Sequence, residues 1–425
     1  MARPLPQPAR IFEVGGAVRD GLLGRPTADR DYVVVGVTPE TMLASGFRPV
    51  GRDFPVFQHP DTNDEYALAR TERKHGRGYR GFEFFASPDV TLEEDLGRRD
   101  LTINAMARGE DGVLIDPHGG QADLRAGVLR HVSAAFVEDP LRVLRVARFA
   151  ARLGFVVAPE TEAMLRTIVD SGELATLAPE RVWQELTKGL SEPRPSRLLA
   201  VLRQCGALAQ LLPEVDALFG VPLASAQHRA IDAGVHVAQS LDWSAGRDSA
   251  LAARYGILVS STGLGAAKRE VWPRKQPPVA SGVRLAERVS ERLKAPLPCR
   301  DAAMLAARWR SQIHRAAALP PAAILGLLHA TDALRRPGRL ETVLDICAAD
   351  ICSLPGAAQQ YPQADLLRDA LAVVKAVDAG AIARKVGKGR SAAKNAKADD
   401  VAIADAVRTA RLKSLRAWRR ARPAT

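Results

Sequence analysis

Strand-like runs stop near residue 137. Before that point, short β-rich stretches at 11–14, 32–35, 65–69, 81–85 and 113–115 alternate with helical patterns. After it the chain reads as helix upon helix, at 138–153, 160–170, 179–190, 196–210, 231–241, 282–294, 300–315, 320–335 and 363–378. Many of these are rich in Ala, Leu and Arg, and several are entered through Pro, Ser or Asp in capping positions. The division predicts an α+β protein, an α/β-type head followed by a long all-α remainder.

At 425 residues the chain is long for a single core, so more than one domain is expected. A hydrophobic fraction of 47% argues against disorder. Sixty Lys and Arg against 48 Asp and Glu leave a net charge of +12, which points to a polyanionic partner, nucleic acid ahead of an anionic membrane surface. Cys205, Cys299, Cys347 and Cys352 form no CxxC pair and no cluster with histidine, and the N-terminus shows no apolar run followed by a cleavage site. The chain therefore reads as cytoplasmic, with reduced thiols. No apolar stretch approaches the ~20 residues that span a bilayer.

The head carries the chemistry. In VGGAVRDGLLGRPTADRDYVVVG, residues 14–36, Gly15 and Gly16 sit between a strand and a helix, where backbone N–H groups can approach a phosphate chain. Asp29 and Asp31 flank Arg30 just before the strand YVVV. On a strand, residues two apart face the same way, so these carboxylates would stand side by side and suit one or two Mg²⁺ ions in a phosphoryl displacement. Arg19 can neutralise a triphosphate, whereas Asp20 reads as a residue that ties down the turn. Glu65 is the candidate for a third carboxylate.

These residues, with RRDLTINA at 98–105 and EDPLRVLRVARF at 138–149, resemble the class II tRNA nucleotidyltransferases: the CCA-adding enzymes and their relatives, the bacterial poly(A) polymerases. The likeness continues through IDPHGGQADL, LAPERVW and LLPEVDALFGVP to about residue 290. It implies a polymerase-β-like head (1–137), a helical neck with a base-reading helix (138–215), a helical body (216–335) and a basic helical tail (336–425). It also implies Mg²⁺ as cofactor, with CTP, ATP and the tRNA 3′ end as partners.

Template-free choice of C and A has a chemical rationale. Both bases show an exocyclic amino donor beside a ring-nitrogen acceptor, so one carboxylate and one guanidinium can read both, while uracil and guanine would leave the charged groups unpaired. Asp139 and Arg142, taken to lie within one helical turn, match the family's base-reading pair; a surface ion-pair helix is the alternative. The resemblance implies that Arg99, Arg145 and Arg148 hold the triphosphate or ribose. Asp100 and Asn104 either contact sugar or cap a helix. The segment 67–85 is a loop near the nucleotide or an exposed hairpin tip.

In the branch most similar to this chain, the body is an HD phosphohydrolase domain whose His and Asp residues hold a divalent metal. Here His236 remains, but Ser260 and Ser261 stand where the His-Asp pair is expected, and Lys275, Gln276 and Pro278 stand where histidines are expected. One imidazole makes no metal site, so His236 is assigned to structure and phosphohydrolase activity is expected to be absent. The alternatives to CCA addition are a poly(A) polymerase and, with less support, a metal-dependent phosphohydrolase. The Lys-rich segment 387–400 reads as a basic loop, and the closing RTARLKSLRAWRRARPAT as a basic helix, either an RNA-backbone contact or a solvated face.

Overall fold

The computed structural model describes residues 5–27, 30–50, 56–74, 82–223, 232–266, 278–388 and 396–422. The chain forms two compact units, Met1–Pro213 and Glu214–Thr425.

The first unit is built on a seven-stranded sheet. Strand β1 (Arg10–Val14) leads into α1 (Gly16–Leu22), then come β2 (Asp31–Val35), α2 (Pro39–Ala44), β3 (Arg48–Pro49), β4 (Val56–Gln58) and β5 (Glu65–Leu68). A hairpin of β6 (Arg70–Lys74) and β7 (Phe82–Ala86) follows, then α3 (Leu92–Gly97), β8 (Ala107–Gly109) and β9 (Leu114–Ile115). The strand order is β3-β4-β5-β2-β1-β8-β9, with β2 and β5 parallel and the other pairs antiparallel. Adjacent β2 residues face opposite sides: Val33 joins Phe12, Val14, Leu92 and Leu96 in one core, while Val34 joins Met42, Phe47, Phe57 and Leu68 in the other. Each such side chain taken out of water is worth roughly 1.5–3 kcal/mol. The sheet is thus covered on both faces, and the glycine turn sits at the C-terminal end of its interior strand β1.

Two expectations are corrected in this unit. A strand does occur beyond residue 137: after α4 (Gly120–Ala126) comes β10 (Val128–Leu129), and after α5 (Leu141–Leu153) comes β11 (Val156–Val157), which pairs with β10 in parallel. A β-branched pair just past the left-handed Gly154 is too short to show a period and is completed by a distant partner. The helix read at 196–210 is two. Following α6 (Pro159–Asp170) and α7 (Pro179–Ser191), α8 (Pro195–Gln204) stops at Cys205 and Gly206, whose φ of 86° ends it before α9 (Ala207–Leu211).

The second unit is helical. After α10 (Pro213–Asp216), which spans the junction, come α11 (Ala233–Ala245), α12 (Leu251–Ser260), α13 (Val279–Arg292), α14 (Leu297–His314), α15 (Pro321–Ala330), α16 (Pro337–Cys352), α17 (Pro362–Lys375), α18 (Ala379–Lys388) and α19 (Ala396–Ala421). Helix α16 is absent from the sequence reading, although its buried residues Leu340, Val343, Leu344 and Cys347 recur at helical spacing; it packs on α11, α12 and α14. Of the basic loop expected at 387–400, residues 389–395 lie outside the described residues, while α18 runs to Lys388 and α19 begins at Ala396, so the flanking positions are helical rather than loop. All four cysteines are free and buried. No described helix is long and apolar enough to cross a membrane.

Candidate active site

The site begins where β1 ends. Gly15 has φ 68° and ψ −123°, a conformation closed to side-chain-bearing residues, and a Cβ there would lie 2.9 Å from Arg99 Nη1. Strand register places Val14 opposite Asp31, and Asp31 opposite Glu65 on the parallel β5. One row across the sheet therefore joins the glycine turn to two carboxylates, and both line a cavity of about 590 Å³ with Gly15 and Gly16. Asp29 lies outside the described residues, and β2 starts only at Asp31. Among the described residues no group of three or more His, Cys, Asp or Glu is arranged to hold a metal. Asp31 and Glu65 are nevertheless exposed, hard oxygen donors, and that donor set fits a Mg²⁺-type cation that keeps several waters.

Behind this row runs a chain of buried polar contacts. Arg19 is only 3% exposed. Its Nε and Nη2 each donate to Asp20 at 2.9 Å, and its Nη1 donates to Asn104 Oδ1 at 2.5 Å. Asn104 Nδ2 donates in turn to Asp100 Oδ1, and Arg145 Nε donates to Asp100 Oδ2 at 2.7 Å. Burial alone would raise the Asp100 carboxyl, but the Arg145 guanidinium and the Asn104 bond hold it well below the usual carboxylate range. Asp100 and Asn104 accordingly serve to set the arginines on either side. Asp95, fully buried on α3, does the same for Arg98 and Arg99, at 2.9 and 3.2 Å.

Helix α5 forms the facing wall. Pro140 precedes it, Asp139 Oδ1 accepts from Leu141 N, and the left-handed Gly154 ends it. Asp139 is extended rather than helical, a correction to its placement on one helical turn with Arg142; proline at 140 keeps the residue before it out of the helical region. Arg142 and Arg148 are buried, which the surface ion-pair alternative does not allow. Arg142 donates to the carbonyls of Ala135 and Arg98 at 2.9 and 2.6 Å, and Arg148 Nε donates to Glu185 at 2.7 Å while lying over the Phe149 ring.

The cavity gathers every described candidate: Gly16, Arg19, Asp31, Arg99, Asp100 and Asn104, with Asp139, Arg142, Arg145 and Arg148 from the α5 wall and its entry. Nine arginines against four carboxylates line it, an excess of positive charge suited to a polyphosphate. Four of these arginines, Arg70, Arg98, Arg152 and Arg181, carry no role in the sequence reading. Arg152 donates to Asp20 at 2.7 Å and so ties α5 to α1; Arg181 on α7 approaches Asp139 at 3.6 Å; Arg98 presents its carbonyl to Arg142. Arg152 continues the i, i+3/i+4 stripe of α5, a visible signal, whereas Arg181 could be tied to Asp139 only by the folding of α7 onto α5.

The family model described as "Poly A polymerase head domain" matches residues 11–130, and the model "Probable RNA and SrmB- binding site of polymerase A" matches 154–219. A multifunctional CCA protein of Aromatoleum aromaticum is 58% identical over 377 residues, 88% of this chain and 93% of the relative. One of Burkholderia cenocepacia is 52% identical over 413 residues, 95% of this chain and 98% of the relative. Among solved structures, the CCA-adding enzyme of Bacillus stearothermophilus in complex with CTP is similar with a TM-score of 0.64 and 26% identity, covering 95% of this chain and 88% of that one.

Proposed function

The chain belongs to the multifunctional CCA protein family and is a nucleotidyltransferase, and we propose that it adds C, C and A, without a template, to tRNA 3′ ends from CTP and ATP. One observation carries the assignment of its working parts: the glycine turn, the Asp31–Glu65 row and the arginine wall of α5 face a single cavity.

In this reading Asp29 and Asp31 would hold Mg²⁺, with Glu65 opposite Asp31. A bound Mg²⁺ would lower the pKa of the tRNA 3′-hydroxyl and offset polyphosphate charge. The Gly15–Gly16 turn lets the phosphates approach the start of α1 at Gly16, the Gly15 N–H being engaged with the Met106 carbonyl, and Arg99, Arg145 and Arg148 supply countercharge. Arg19 acts from the floor, its guanidinium oriented by Asp20 and Asn104. The 3′-oxygen bonds to the α-phosphorus of CTP or ATP, the bond from that phosphorus to the β-phosphate oxygen breaks, and pyrophosphate leaves.

Base choice falls to Asp139 and Arg142. The two backbone carbonyls that accept from Arg142 fix the plane of its guanidinium, and Arg181 restrains Asp139. The carboxylate then accepts from the amino group shared by cytosine and adenine, and the guanidinium donates to the ring nitrogen.

Residues 1–137 serve as head, 138–215 as neck, 216–335 as body and 336–425 as tail, in a cytoplasmic enzyme. The body carries no phosphohydrolase activity: Ser260 and Ser261 are buried at the positions expected for His-Asp, and Pro278 caps α13. Lys275 and Gln276 lie outside the described residues. The deciding experiment incubates the purified protein with tRNA lacking its CCA end, Mg²⁺ and each nucleoside triphosphate separately, and sequences the 3′ termini. Addition of A alone, with CTP unused, would instead favour a poly(A) polymerase.

A further inference from the structure

In the unit Glu214–Thr425, four helices bring a polar cluster together around Asp350 of α16. His314 Nε2 of α14 donates to Asp350 Oδ2 at 2.8 Å, and Arg310 Nε, one turn earlier on the same helix, lies 3.6 Å from that oxygen. His236 of α11 donates from Nε2 to the Asp350 backbone carbonyl at 2.8 Å, with Nδ1 3.7 Å from Oδ1. Arg310 Nη1 donates to Ser261 Oγ, at the end of α12, at 2.6 Å. The surroundings are apolar, with Val237, Ile257 and Ile346 all buried.

A body of the HD kind implies a divalent metal, and these residues do not fit one. His236 Nε2 is engaged with a carbonyl, and both nitrogens of His314 are taken, Nε2 by the Asp350 carboxylate and Nδ1 by the Tyr361 hydroxyl, so His314 has no ring nitrogen left for a metal. The adjoining space is about 10 Å³, room for about one water and not for a hydrated cation. Among the described residues no ligand group of three or more is present.

We propose that the guanidinium of Arg310 is the fixed cation of this domain, joining Asp350 to Ser261 and so fastening α14, α16 and α12 where the family resemblance implies a divalent ion. The inference rests on the reading of the body as a domain without phosphohydrolase activity. A planar, permanently charged fork suits the task, because it donates to Ser261 while staying within ion-pair range of Asp350 on another helix, and it never loses its proton. Its effect on Asp350 is visible: burial would raise that carboxyl, but Arg310 first, then the His314 bond and both imidazoles, hold it well below the usual carboxylate range. The polar cluster therefore fixes the register of helices that apolar packing alone would leave free to slide.

The test is thermal unfolding of the full chain in EDTA, for wild type, Arg310→Met, Asp350→Asn and the double variant. Each single variant should melt roughly 5–10 °C below wild type, because it strands one partially buried charge. The double variant should melt no lower than the worse single variant, since removing both partners strands nothing. Ni²⁺, Mn²⁺ or Zn²⁺ should leave the wild-type melting temperature unchanged. Additive losses, or wild-type melting behaviour in Arg310→Met, would overturn the assignment of Arg310 alone. Turnover of a 2′,3′-cyclic nucleotide by wild type with Ni²⁺, lost in His236→Ala, would overturn the reading of the body on which it rests.

Discussion

Arg145 and Asp100, 45 residues apart, meet through two nitrogens of one guanidinium on one carboxylate oxygen at 2.7 Å. The pair links the α5 wall to the RRDLTINA segment, and through Asn104 to Arg19 of α1, just past the glycine turn. Replacing Asp100 by Asn should cost on the order of 2 kcal/mol, below the ~3–5 of a wholly buried pair because Arg145 stays partly in water. Chemical denaturation of the variant checks the size of the loss.

The same pair sets a pH dependence. The folded Asp100 carboxyl is held below its unfolded value, near ~3.9, so its contribution is complete at neutral pH. It declines as pH falls below about 4, where the unfolded carboxylate takes up a proton first, and it is gone below the folded pKa. Wild type should therefore lose its stability advantage over Asp100→Asn between pH 4 and more acidic conditions, measured as the difference in denaturation midpoints. A difference that stayed constant across that range would refute the assignment.

The carboxylate row predicts a loss of chemistry without a loss of fold. Asp31→Ala should reduce nucleotide addition below about one-tenth of the wild-type rate, given that metal catalysis is worth several kcal/mol, with tRNA affinity and the unfolding midpoint nearly unchanged. Glu65→Gln, facing Asp31 across the register, should lower the rate by a smaller factor and raise the Mg²⁺ concentration needed for half-maximal activity. Rates titrated against Mg²⁺ measure both.

Base selection provides a separate readout. Asp139→Ala or Arg142→Ala should bring kcat/KM for UTP and GTP closer to that for CTP and ATP by roughly tenfold or more, the scale of a lost charged hydrogen bond. Arg181→Met, which frees Asp139 without deleting it, should produce a weaker version of the same change. Equal losses for all four triphosphates would reassign the pair to phosphate binding or structure.

At the turn, Gly15→Ala tests both backbone conformation and the close approach of Arg99. Both its positive φ and the 2.9 Å approach of Arg99 Nη1 oppose a Cβ. The variant should lose about 1–3 kcal/mol of stability, the scale of a strained backbone position, and its KM for CTP should rise more than its kcat falls. Gly24 also has positive φ but nothing within 4 Å, so Gly24→Ala should show strain without the change in KM.

Local periodicity was enough to read β1, α1, β2 and helices such as α5, α7 and α14, because strand alternation and helical stripes depend on neighbours a few residues away. The glycine turn and the arginine stripe of α5 were legible for the same reason. Family resemblance, carried by ordered motifs, then tied them to one chemistry. What the tertiary structure alone decided are the partners: Glu65 opposite Asp31, Arg145 on Asp100, Arg152 on Asp20, Arg181 near Asp139 and Arg310 between Asp350 and Ser261. Each joins residues 34 or more positions apart, and no local preference encodes which acid a buried arginine will meet. That choice follows from how strands register and helices cross, since only burial makes an unpaired charge costly enough to select its partner.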